Sequence, residues 1–429
     1  MAEQSLLLTF ITILLALGIS IFLMKHYHLS KKQVLLFIVL VLFWSSVIVI
    51  RAYRKSFAMQ ELDAGGLALG AMAAANIASA YGLMSFLLRF PSMFVADLLK
   101  SKRMMFLLTT LLLTVTSLLV VFFPSYNTLY ASSAALGMGA SMLALFNVSF
   151  SETFSKEQAM KSVSILSAAP LLAEFLVAPL QYVATGASNR YGLLWTMSAG
   201  LSILAFIVIL FVKEEPLEKR TMDLASFKRV VRTRNIWLYG IIGIVISLLR
   251  FSLTGSNLIT YVQSDLIKMP PVMVAYLDFV FAIFQLVAGV LAGLYIAKKI
   301  GLKYTLFTGL LLSTLYNVIL LWTHNPVILF VAYSLSGFGY GLTYNTLIGL
   351  ALETYDRKDR AMSMGLFQTM FAIGIFYGDK IYNIIRGFVE TTAADVNREV
   401  FLFMLGLSII TGIILLIFLP RIRKDKKAL

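Results

Sequence analysis

The chain has 429 residues, 59% of them hydrophobic and 13% charged, with a mean hydropathy of +0.87 and a formal net charge of +15. Soluble domains run nearer about 45–50% apolar and about 25% charged, so the composition excludes a soluble globular protein and describes an integral membrane protein. There is no cysteine, which excludes disulfides, thiol catalysis and cysteine-ligated metals, and the three histidines, His26, His28 and His324, form no spaced metal pair.

A membrane-spanning helix needs about 20 apolar residues. Read in order, thirteen segments qualify, at roughly 5–24, 33–59, 67–98, 104–123, 127–151, 158–184, 191–213, 235–263, 272–297, 303–322, 326–352, 360–386 and 398–420. They are called helix zero and helices 1 to 12 below. Helix zero follows "MAEQ" and precedes "KHYHLSKK". Its charge lies on the wrong side for a secretory signal and no A-x-A site follows, so an uncleaved helix with an outside N-terminus is expected.

The loops then alternate. "KHYHLSKK", "LKSKRM", "SKEQAMK", the long loop 214–234, "AKKIGLK", "DRKDR" and the tail "RIRKDKKAL" hold most of the Lys and Arg; the loops between them do not. The positive-inside rule makes the basic set cytoplasmic, as expected of a bacterial cytoplasmic-membrane protein with its C-terminus inside. The excess positive charge therefore reads as orientation, with anionic lipid headgroups beside the long loop, and calls for no nucleic acid. The expected organisation is an extra transmembrane helix at 1–32, a six-helix bundle at 33–213, a cytoplasmic linker at 214–234 and a second six-helix bundle at 235–429. A monomer is expected.

The two halves repeat. Helix 4 carries "LGMG" at Leu136 and helix 10 "SGFG" at Ser336, 200 residues on. "ETFSKEQAMKS" from Glu152 and "ETYDRKDRAMS" from Glu353 follow them, 201 residues apart. "VIRAYR" from Val49 and "VISLLR" from Val245 are 196 apart. Parallel repeats of six helices resemble the plan of the major facilitator transporters, whose substrate site lies at the midplane. The glycines of helices 4 and 10 read as close-packing positions. No phosphate loop, metal motif or nucleophile elbow occurs, so no enzyme activity and no cofactor are expected.

Within "VIVIRAYRKSF" three cations, Arg51, Arg54 and Lys55, end an apolar run. A cation at the bilayer centre costs about 3 kcal/mol on insertion scales. Arg54 and Arg250 hold matching places in the repeat, and a bound anion would offset the cost, because the guanidinium fork matches carboxylate or phosphate oxygens. Arg89, eight residues before Asp97 and so about 12 Å along a helix, is a third candidate. Arg51 and Lys55 also read as headgroup-level side chains that snorkel. Glu174 and Asp278 are intramembrane carboxylates that either carry protons or pair with an arginine. Asp379 and Lys380 read as a local pair or as snorkelling groups. Tyr81, Tyr261, Tyr276, Tyr340 and Tyr344 are potential hydrogen-bond donors to a substrate, though interface anchoring is the commoner role.

"YRKSFAM" (Tyr53–Met59) and "SLLRFS" (Ser247–Ser252) resemble the helix 1 and helix 7 motifs of the organophosphate:phosphate antiporters, the glycerol-phosphate and hexose-phosphate carriers of the major facilitator superfamily. The resemblance implies Arg54 and Arg250 as anion ligands, with Lys55 beside the first and Arg89 at a helix 2 lysine position. It makes Asp97, with Lys102 and Arg103, the remnant of the conformational motif of loop 2–3. Pro170 and Gly255 stand where that family has histidine and aspartate, Lys298 replaces a loop aspartate, and helix zero lies outside the family plan.

The expected function is secondary active transport of an organic anion, such as a phosphorylated small molecule, by alternating access, coupled to antiport or to protons. Arg54, Arg250, Arg89, Lys55 and Tyr81 are the substrate-binding candidates, and Glu174 and Asp278 the proton-coupling candidates. Two other readings fit the same residues: a flippase for an anionic lipid or lipid-linked headgroup, and a transporter-like membrane sensor of an anion.

Overall fold

The computed structural model describes residues 2–99, 101–151, 153–154, 159–213, 224–355, 359–388 and 393–419. Among them every regular element is helical. The chain opens with α1 (Ala2–His26) and α2 (Lys31–Arg51), the latter started by a capping box in which Ser30 and Gln33 satisfy each other's backbone N–H groups. There follow α3 (Arg54–Met59), α4 (Ala71–Arg89), α5 (Pro91–Leu99) and α6 (Lys102–Phe122), capped by Ser101. Next come α7 (Tyr126–Ser141), α8 (Leu143–Ser151), α9 (Ala159–Tyr182) with a π-helical end at Val183–Ala187, and α10 (Leu193–Leu210).

The linker folds into α11 (Leu224–Arg232). Beyond it lie α12 (Arg234–Leu253), α13 (Gly255–Gln263), α14 (Pro271–Leu291), α15 (Ala297–Trp322), α16 (Pro326–Glu353), α17 (Arg360–Arg386) and α18 (Ala393–Phe418). Gly301, at φ 82°, breaks α15 near its start and makes the expected loop between helices 8 and 9.

Ten helices among the described residues are long and apolar enough to cross a membrane, so the protein is an all-α, multi-pass bundle. The expected span at 127–151 is divided into α7 and α8 at Met142, and that at 360–386 carries Asp379, Lys380 and terminal arginines.

Packing divides the chain into two compact units: Met1–Thr221 with Pro270–Phe279, and Met222–Met269 with Val280–Leu429. In the first, α1 lies against α9, α2 against α9 and α10, α4 against α7, and α6 against α10. Hydroxyls tie these helices: Thr114 to Ser202 at 2.7 Å, Ser198 to the Ser46 carbonyl at 2.7 Å, and the Trp195 indole to Ser132 at 3.1 Å. Each such bond contributes about 0.6 kcal/mol in a membrane bundle. Helix zero joins this unit through Thr12, which shares a 3.1 Å hydrogen bond with the Tyr276 hydroxyl.

In the second unit α12 packs on α17 and α15 on both α16 and α18. The linker helix is docked rather than loose. Arg229 donates to both oxygens of Asp359, at 3.1 and 2.7 Å, and Ser226 donates to the same carboxylate. Lys228 and Arg232 remain exposed, on the basic face expected to meet lipid headgroups.

Candidate functional site

Helices 1 and 7 are both interrupted beside their arginines. Helix 1 breaks at Ala52 and Tyr53, between α2 and α3, and the amide of Gln181 reaches the carbonyls of Ile48 and Val49 at 3.2 and 3.3 Å. Helix 7 breaks at Thr254, between α12 and α13, because Gly255 takes φ +58°, a left-handed conformation that other residues adopt at a cost. Thr254 returns its hydroxyl to the Arg250 carbonyl at 2.7 Å. Interrupted helices inside a bundle leave backbone and side-chain groups for ligands.

The two arginines sit in different surroundings. Arg54 is 2% exposed. Its Nε donates to the Arg51 carbonyl at 2.8 Å, and one terminal nitrogen donates to the Ala78 carbonyl at 2.8 Å and to the Ser133 hydroxyl. Tyr81 lies 5.1 Å from the guanidinium carbon. Arg250 is half-buried and makes one hydrogen bond among the described residues, to Thr254 Oγ1 at 3.1 Å. Its Nε is buried without a partner there. Three rings surround it, with centroids 4.1 Å (Phe281), 4.5 Å (Tyr340) and 5.0 Å (Phe251) from the guanidinium carbon.

The repeat extends to the packing around each arginine. A Cβ on Gly137 would strike the backbone oxygen of Tyr81, and one on Gly337, 200 residues later, would strike that of Phe281. These glycines bring α7 onto α4 and α16 onto α14, at the residues whose rings face Arg54 and Arg250. Close packing, the reading given to both glycine motifs, is what they do. Gly337→Ala is therefore expected to displace the Phe281 backbone and cost about 1–3 kcal/mol, the usual range for overpacking. A thermal unfolding curve unchanged from wild type would show that the contact is slack.

Lys55 is buried, at 5% exposure, so it is not the snorkelling group its sequence position implied. Arg89 ends α4 and donates to Ser85 at 3.0 Å. Arg51 also turns inward. One of its terminal nitrogens lies 3.8 Å from both Glu174 Oε1 and Asp278 Oδ2, so the two carboxylates selected from the sequence converge on one cation. Asp379 is 2% exposed, which excludes a snorkelling role, and Lys380 sits 4.9 Å from the Phe376 ring. Tyr81, Tyr261, Tyr276 and Tyr340 are buried and Tyr344 half-buried, rather than exposed as anchors.

In the loop motif Arg103 donates to the Leu210 carbonyl at 2.7 Å and Lys102 begins α6; the side chain of Asp97 lies outside the described residues. No group of three or more potential metal ligands occurs among the described residues. Sequence reading missed Ser133, Thr254 and Phe281. Phe281 was open to discovery, since it stands 200 residues after Tyr81.

The sequence profile of the Major Facilitator Superfamily matches residues 5–379, beginning inside α1. The match is to the superfamily as a whole and does not single out the organophosphate:phosphate antiporters. The Bacillibactin exporter of Bacillus subtilis (strain 168) is 27% identical over 164 residues, 37% of this chain and 39% of the exporter. The alignment thus spans about two fifths of that curated relative. Among solved structures, a POT family transporter in complex with a thioalcohol-conjugated peptide superposes with a TM-score of 0.75 at 15% identity, over 92% of this chain and 97% of that one. The nucleoside transporter NupG gives 0.74 at 11% identity, over 90% and 99%. At such identities the likeness establishes the fold, which this chain shares with those two transporters.

Proposed function

The chain belongs to the Major Facilitator Superfamily, and on that premise we propose that it moves an organic anion across the membrane by alternating access, with Arg250 as principal anion ligand. One observation carries the reading. Arg250 is a permanent cation, partly withdrawn from solvent, that keeps one neutral hydrogen bond and no carboxylate within ion-pair distance among the described residues. Cation–π contacts of about 0.5–2 kcal/mol each offset only part of its lost hydration. An anion that takes the remaining donors completes the site. Arg54, by contrast, gives three of its five N–H groups to protein oxygens, so within the first unit it is the weaker anion candidate, with Lys55, Arg89 and Tyr81 beside it in the proposal.

The experiment is a thermal-shift screen of the purified protein against phosphate esters, carboxylates and lipid headgroups. An organic anion is expected to stabilise wild type and to lose that effect in Arg250→Ala. Stabilisation by headgroups alone would favour lipid translocation. A shift that persists in a well-folded Arg250→Ala protein would remove the basis for the assignment. The relative that exports bacillibactin makes outward movement the direction to test first.

The same reading places the N-terminus outside and the C-terminus inside, with thirteen spans. The charge step from "MAEQ" to "KHYHLSKK" and the basic tail support it. The chain has no cysteine, so single substitutions Ser5→Cys and Ala428→Cys report cleanly. An impermeant reagent is expected to label the first and not the second in intact cells; outside labelling at Ala428→Cys reverses the topology.

A further inference from the structure

We propose that the anion recognised at Arg250 carries a planar aromatic ring, as an aryl carboxylate does, and that Tyr340 and Tyr344 are its ring-binding surface. The proposal rests on Arg250 being an anion ligand and adds the class of anion.

The surroundings of Arg250 are those of a ring site. Phe281 and Tyr340 lie on the guanidinium, and their own centroids are 5.8 Å apart. Tyr340 stacks on Tyr344 with centroids 5.3 Å apart and planes within 11°. Tyr344 meets Phe371 at 5.0 Å, and Tyr340 meets Phe371 at 6.4 Å. The rings come from α14, α16 and α17 and form one connected array around the cation, all within the second unit.

One member of this array is partly exposed. Tyr344 and Gln368 are half-buried, whereas Tyr340 and Phe371 are buried. The Tyr344 hydroxyl accepts a 2.9 Å hydrogen bond from the Gln368 amide. This bond holds the hydroxyl end of the ring and leaves the phenol proton to donate. Aromatic rings prefer offset-stacked or edge-to-face partners 4.5–7 Å away, and Tyr344 offers such a place one ring from the guanidinium. The guanidinium fork takes a carboxylate with two parallel N–H···O bonds. A charged head and a flat body at that spacing describe an aryl carboxylate. A sugar or glycerol phosphate has no flat body for the rings, and its dianionic charge is poorly matched by one arginine framed in hydrocarbon.

The test is displacement of radiolabelled benzoate from the purified full-length protein by benzoate, cyclohexanecarboxylate and glycerol 3-phosphate. Cyclohexanecarboxylate matches benzoate in size and charge and lacks only the flat π face. Benzoate is expected to bind about tenfold more tightly than its saturated counterpart, a difference of about 1.4 kcal/mol. Tyr344→Leu should cut that preference to less than threefold, and Tyr344→Phe should keep it. Arg250→Ala should abolish binding of both carboxylates. Equal affinities for the two acids, tighter binding of glycerol 3-phosphate, or a preference that survives Tyr344→Leu overturns the aromatic assignment and leaves the anion site standing. Absence of benzoate binding likewise overturns the aromatic assignment, whereas benzoate binding that survives Arg250→Ala overturns the anion site itself. If Tyr344→Leu does not fold, the wild-type ranking of the three probes still decides.

Discussion

Arg250→Ala is expected to cost about 2–5 kcal/mol of anion affinity, because the ligand's oxygens stay buried while their charged partner is gone. That is roughly thirtyfold or more in Kd. Folding should be little affected, since the residue gives one hydrogen bond to Thr254 among the described residues and its three rings can close on one another. Arg250→Lys should rescue poorly: it keeps the charge and loses both the fork and the flat face that lies on Phe281 and Tyr340. Arg54→Ala should behave in the opposite way. It strands the carbonyls of Arg51 and Ala78 and the hydroxyl of Ser133, and each buried group left unsatisfied costs about 1–3 kcal/mol. Loss of expression and thermal stability is therefore the main result at Arg54, and loss of binding at Arg250. Normal anion binding by a well-folded Arg250→Ala protein would leave the arginine as a helix brace.

Architecture was legible in the sequence because membrane helices are long apolar runs whose loops carry orientation charges. The internal repeat was legible because glycines that permit backbone contact, such as Gly137 and Gly337, cannot be exchanged without moving the helices they join. The difference between the two arginines was not legible. "VIRAYR" and "VISLLR" align Arg54 with Arg250, yet what decides each role comes from other helices. Ala78 and Ser133 bind the first, whereas Phe281 and Tyr340 frame the second. Arg51 was misjudged for a related reason. Its position near the end of an apolar run suggests a headgroup contact, but carboxylates brought in from α9 and α14 draw it inward. Pairing between residues more than 100 positions apart has no local pattern to betray it.

Glu174→Gln is expected to remove the pH dependence of anion movement. Arg51 lies 3.8 Å from a carboxylate oxygen of Glu174 and of Asp278, and both acids are buried. With both ionised the trio carries one net negative charge; one proton makes it neutral. A pair at about 4 Å is worth about 4 kcal/mol at an effective dielectric constant of about 20, so changing the charge state of either acid alters the strength with which Arg51 holds it. Asp278 lies in the segment Pro270–Phe279, which includes the first part of α14 and packs with the first unit, and Thr12 and Phe175 contact the same stretch through Tyr276 and Phe279. A proton taken up by the trio would therefore act on the anchorage of this first part of α14. Glu174→Gln fixes the trio as one cation and one carboxylate, the charge state of the protonated form. Arg51→Ala does the reverse, leaving two buried carboxylates without that cation, and should cost about 3–5 kcal/mol of stability. Adding Glu174→Gln to Arg51→Ala should recover part of it. Uptake into proteoliposomes with and without an imposed pH gradient, and thermal unfolding of the three variants, measure both effects. If Glu174→Gln keeps the wild-type pH profile while Arg51→Ala is destabilised as expected, the trio is an anchor for α14 and the coupling proton is carried elsewhere. If Arg51→Ala is as stable as wild type, the ion pairs do not hold α14 and neither role stands.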